Sequence, residues 1–138
     1  MRMVRFLSLA WVLVLTLMPV ARAEENVRSD GKPAFANLDV PQFEKLRADT
    51  NHVVLDVRTK AEFDLAHIPG ATNLDVNGPD FEQQLGKLDR SKVYLVHCAS
   101  GIRSMKACNI MRPLGFTNLH NLQGGFRAWD KAQRAGKK

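Results

Sequence analysis

The sequence predicts an α/β domain built on a parallel sheet with helices on both faces. Two apolar, β-branched runs, residues 52–57 and 93–96, are too continuous for strands that keep one wet face. Segments of helical spacing alternate with the strand candidates, and the connections are short. In such sheets ligands bind beyond the carboxyl ends of the strands.

The first 23 residues read as an address rather than as fold. Arg2 and Arg5 form a basic start, residues 6–18 make a 13-residue apolar run, and Pro19 breaks it. Ala21-Arg22-Ala23 supplies the small-x-small pattern of a cleavage site. The run is short of the ~20 apolar residues a spanning helix needs. A retained membrane anchor is the alternative reading, and no Cys follows the run to carry a lipid. The expectation is a signal peptide at 1–23 and a mature chain from near Glu24, periplasmic or secreted. No stable membrane insertion is expected after cleavage.

Residues 24–36 are polar, contain Gly31 and Pro33, and lack periodicity, which predicts a flexible arm before a domain at 37–138. Asp39 with Gln42 forms a capping box, with Pro41 in the first turn and Phe43 and Leu46 on one helical face. The 52–57 strand follows. Thr59 with Glu62 is a second capping box, Pro69-Gly70 a turn, and 72–74 a short strand. Phe81, Leu85 and Leu88 have helical spacing. After the 93–96 strand comes a loop, then a helix over 103–111 that Pro113 stops. Asn118-Leu119 is another strand candidate, and Gly124-Gly125 opens a last helix carrying Trp129.

Charge narrows the partners. The formal charge is +6, but three of the 20 basic residues lie in the first 23, leaving 17 bases against 14 acids. That scattered balance argues against a nucleic-acid partner. Lys131, Arg134, Lys137 and Lys138 crowd one end, where a solvated helix terminus explains them. The Cys and His residues show no zinc-type spacing, so no metal is expected.

The chemistry concentrates at residues 97–104, His-Cys-Ala-Ser-Gly-Ile-Arg-Ser. Cys98 ends a strand, and Arg103 closes the following loop at a helix start. Loop amides wrapped around a sulfur and the unpaired amides of a helix N-terminus both favour an anion there. They lower a thiol's pKa and free the thiolate as a nucleophile. Gly101 allows backbone angles other residues resist. The bland reading, a structural Cys at a strand end, fits this electropositive setting poorly.

Three separated motifs resemble the rhodanese (thiosulfate sulfurtransferase) family. They are Asp56-Val57-Arg58 through Glu62-Phe63 to His67-Ile68-Pro69-Gly70-Ala71 and Asn73; then Cys98 to Ser104; then Leu114-Gly115-Phe116, Asn118, Asn121-Leu122, Gly124-Gly125 and Trp129. Ala66 departs from the family's usual Gly. The resemblance implies a rhodanese-like fold and a sulfurtransferase in which Cys98 takes a sulfane sulfur and passes it to cyanide or a thiol. It implies no organic cofactor. Ala99, Ser100, Gly101, Ile102, Arg103 and Ser104 would hold the substrate, with Asp56 and Arg58 near the pocket. A structural ion pair of Arg58 with Glu62 is the preferred bland reading of Arg58.

His67 is expected to be structural, and His97 to point away from the thiolate, since neighbouring strand residues face opposite sides. The small partners implied are sulfur-containing anions or persulfides and thiol acceptors. Four residues separate Cys98 from Arg103, whereas related phosphatases have five, so a phosphatase is the weaker alternative. A non-catalytic or redox-sensing module is another. Cys108, on an apolar helix face, is expected not to pair with Cys98. The oligomeric state is left open.

Overall fold

The computed structural model describes residues 35–137; the expected signal segment and most of the arm lie outside them. Five strands form one sheet: β1 (Ala36–Leu38), β2 (Val53–Asp56), β3 (Thr72–Asn73), β4 (Tyr94–His97) and β5 (Leu119–Leu122). Their order is β1-β5-β4-β2-β3, and every neighbouring pair is parallel. The helices are α1 (Val40–Arg47), α2 (Lys60–Leu65), α3 (Phe81–Leu85), α4 (Ile102–Met111) and α5 (Gly125–Ala135).

Strand parity sorts the core into two layers. Leu55, Val57, Tyr94, Val96, Cys98 and Leu119 pack with Phe81 and Leu85 of α3 and Ala107, Cys108 and Met111 of α4. The alternate residues Val54, Leu95 and Leu122 pack with Phe43 of α1, and Phe126 and Trp129 of α5 lie against them. Phe43 is wholly buried, a burial that stabilises by about 1.5–3 kcal/mol. Both faces are therefore dry, which is why the central strands read as continuous apolar runs.

Both capping boxes form. The Asp39 and Thr59 side chains accept from the amides of Gln42 and Glu62, whose side chains accept from the cap amides in return. Pro113 does end α4 and lies in the 3₁₀ turn Arg112–Leu114 that follows. Ala66 adopts φ −166°, extended backbone open to any residue, so its departure from Gly costs nothing.

The arm ends earlier than the sequence predicts. Phe35 is buried, and Ala36 pairs with His120 at the start of β1. A three-residue edge strand without a β-branched residue gives too weak a pattern to separate from an arm.

Candidate active site

Parity along β4 turns the residue after His97 toward α4, and that residue is Cys98. The chain then doubles back through Gly101, whose φ of +102° favours glycine. The Gly101 amide donates to Cys98 Sγ at 3.1 Å, and the Ser104 hydroxyl lies 3.5 Å from the same sulfur. Cys98 is 1% exposed. Burial is the largest single influence on its thiol and pushes the pKa up. The hydroxyl and amide of Ser104 and the amides of Ser100 and Gly101 together outweigh it, and hold the thiol below its ordinary value.

The cradle is shaped from outside by α5. The Phe126 amide donates to the Cys98 carbonyl at 2.7 Å, and the Arg127 amide to the Ala99 carbonyl at 3.2 Å. A trans peptide sets each N–H opposite the preceding C=O. Turning these two carbonyls toward α5 therefore turns the amides of Ala99 and Ser100 the other way. The approach requires Gly125: a Cβ there would stand 2.5 Å from the Cys98 carbonyl oxygen, and its φ is +58°.

Arg103 closes the loop, but its charge is already engaged. Its two terminal nitrogens each reach Glu62 at 2.8 Å. The guanidinium holds the Glu62 carboxyl down at about 2, and Glu62 in turn raises Arg103. Ala99 is half-buried, Ser100 and Ile102 are exposed, and Ser104 is fully buried behind the sulfur.

With this geometry in view, comparison with known proteins is direct. The rhodanese-like domain family matches residues 39–132. The chain belongs to the rhodanese-like domain family. It is 31% identical over 99 residues to the thiosulfate sulfurtransferase GlpE of Shewanella oneidensis, covering 72% of this chain and 96% of that one. It is 37% identical over 90 residues to the chloroplastic thiosulfate sulfurtransferase 16 of Arabidopsis thaliana, covering 58% and 75%. A rhodanese-related protein of Thermoplasma volcanium superposes with TM-score 0.63 at 26% identity, covering 71% of this chain and 93% of that one.

One expected ion pair in this rhodanese-like domain is corrected by the structure. Arg58 does not pair with Glu62. Its Nε and Nη2 hold the Asp56 carboxylate at 2.7–3.1 Å, and Nη2 also donates to the Ala66 carbonyl. Its guanidinium carbon lies 4.4 Å from the centre of the Phe126 ring. Asp56 and Arg58 are buried, and neither lines the cavity beside the loop. Together they bridge β2 to α5. Ser104 is fully buried and its hydroxyl lies against the thiol itself.

His97 faces as strand parity predicts. His97 packs edge-on against Phe43, on the face opposite α4. Burial pushes its pKa down, Asp56 opposing, and Nε2 has no hydrogen-bond partner. His67 stacks on Phe63 at 4.0 Å and its Nδ1 lies 2.9 Å from the Phe63 carbonyl oxygen. Trp129 donates to Glu44 at 2.6 Å and fastens α5 to α1.

Three residues of this rhodanese-like domain carry more than the sequence conveyed. Glu62 was read as a cap, and it also anchors Arg103. Gly125 opens the last helix, as the sequence conveys, and it is also the point of contact between α5 and the thiol loop. Asn121, 2% exposed, accepts from the Ser104 hydroxyl at 2.6 Å. Its signal was available: a polar residue between Leu119 and Leu122 in an apolar strand. Among the described residues no cluster of three His, Cys, Asp or Glu side chains is placed to hold a metal.

Proposed function

We propose that this rhodanese-like domain is a sulfurtransferase working through a persulfide on Cys98. The observation that carries the reading is the lowered Cys98 thiol, with the Gly101 amide 3.1 Å from its sulfur. The Cys98 thiolate attacks the sulfane sulfur of the donor. The bond from that sulfur to the rest of the donor breaks, and the leaving group departs with the electron pair: sulfite from thiosulfate, a thiolate from an organic persulfide. A thiolate or cyanide then attacks the terminal sulfur, and Cys98 leaves as thiolate.

The engaged charge of Arg103 bears on the donor. With Glu62 holding both of its terminal nitrogens, the loop attracts anions chiefly through backbone amides. That favours a singly charged persulfide or polysulfide over the thiosulfate dianion. Mass spectrometry after exposure to each donor tests both parts. The expected result is a gain of ~32 Da on Cys98, in a larger fraction of the protein with the organic persulfide. No sulfur on Cys98 with any donor would overturn the reading. Sulfur that loads but is never passed to an acceptor would instead support the sensing module.

For its place in the cell, we propose export directed by residues 1–23 and action in the periplasm or outside the cell. The support is the apolar run ending at Ala21-Arg22-Ala23. N-terminal sequencing of protein from the producing cell should give Glu24 or a close neighbour. Recovery of intact Met1 in the membrane fraction would refute cleavage.

A further inference from the structure

We propose that Asn121 is a positioning residue for Cys98: through the Ser104 hydroxyl it sets how firmly the sulfur is held as an anion. The inference rests on Cys98 being the reacting thiol.

Ser104 has one hydroxyl proton and three acceptors within reach. They are Asn121 Oδ1 at 2.6 Å, the Gly101 carbonyl at 3.0 Å and Cys98 Sγ at 3.5 Å. The three compete for that proton, and the shortest contact weakens its hold on the sulfur. Asn121 is held in turn: its Nδ2 donates to Asn37 Oδ1 at 2.8 Å, across the β5–β1 pairing in which the two residues are opposite. Asn37 is exposed and lines, with Asn121 and Gly101, a cavity of about 200 Å³ on the outer flank of the loop. A hydrogen-bonded chain thus runs from solvent to the sulfur: Asn37, Asn121, Ser104, Cys98.

Packing alone would be served better by an apolar residue, since a buried amide is tolerated only when bonded.

The test is the pH dependence of Cys98 alkylation by iodoacetamide in the full-length protein. It needs no sulfur donor, so it is decided independently of the sulfurtransferase reading. Asn121→Leu removes the competing carbonyl and should lower the alkylation midpoint by about half to one pH unit, the effect of one added hydrogen bond. Asn121→Asp fixes an acceptor on Ser104 and adds negative charge, and should raise it. In a Ser104→Ala background the Leu shift should vanish.

If Asn121→Leu does not fold, the exposed Asn37→Asp serves. It fixes the Asn121 oxygen on Ser104 and should raise the midpoint, by more with Ser104 present than absent. An unchanged midpoint in folded Asn121→Leu, or the same shift with and without Ser104, overturns the proposal.

Discussion

Cys98 and Cys108 are two free thiols in the same apolar layer, 1% and 0% exposed. Burial pushes both toward the neutral form. Cys108, inside α4, has little to oppose it and is pushed up to about 12. Cys98 meets the same penalty and still ends below its ordinary value, because three amides and a hydroxyl converge on its sulfur. Burial therefore does not decide whether a thiol is reactive; the donors aimed at it do.

The comparison is sharpened most by exchanging the sulfurs. Cys98→Ser should reduce sulfur transfer to background, because an oxygen nucleophile cannot form the persulfide. Cys108→Ala should keep full activity at a cost of about 1 kcal/mol for the space left. Equal losses in a cyanide assay would erase the distinction between the two.

Gly125→Ala attacks the donors instead. A methyl group 2.5 Å from the Cys98 carbonyl pushes α5 off the loop. Activity should fall by roughly a hundredfold or more, as misplacement by about 1 Å does elsewhere, with the melting temperature falling as well. Normal kinetics would mean that α5 does not shape the cradle.

Arg103→Ala is a milder attack, because the amides remain. About a tenfold loss is expected, the loss of one charge-assisted contact, and Glu62 should titrate nearer its ordinary value. Glu62, held down at about 2, contributes stability that is present above pH 4.5 and lost as pH falls from 4.5 toward 2.

The smallest effect lies on the opposite face of the sheet. His97 is buried neutral, its pKa lowered from 6.5. Below pH 6.5 the unfolded chain takes up a proton that the folded chain resists. Stability should therefore be full above that pH and decline below it, with His120, also lowered, acting in the same direction. Thermal melts down to about pH 5.5 should show the decline, and His97→Gln should flatten it. A melting temperature independent of pH would put His97 outside the accounting.

What the sequence conveyed follows the range of the forces involved. Capping boxes, helix stops and buried strands are written in a few neighbouring residues, and they were legible. The thiol loop was legible for the same reason, since Cys98, Gly101 and Arg103 act within six residues. The ion-pair partners were not. Arg58 could reach Glu62 or Asp56 by sequence spacing, and only the path of β2 into α2 selects Asp56. Arg103 finds Glu62 41 positions away. β1 was lost because three residues with exposed Ala36 and Asn37 have no pattern, although their pairing with β5 is complete.

The pairing of β1 with β5 has a consequence in time. Asn37 bonds Asn121 across 84 positions, and Glu44 bonds Trp129 across 85. A ribosome therefore makes β1 and α1 first and must hold them unsatisfied until β5 and α5 emerge. The carbonyls of Cys98 and Ala99 wait for the same late segment. Until then the thiol has neither its shaped loop nor its polar neighbours, and nothing holds it below its ordinary value. The lowered thiol of Cys98 is thus acquired last, on closure of the chain.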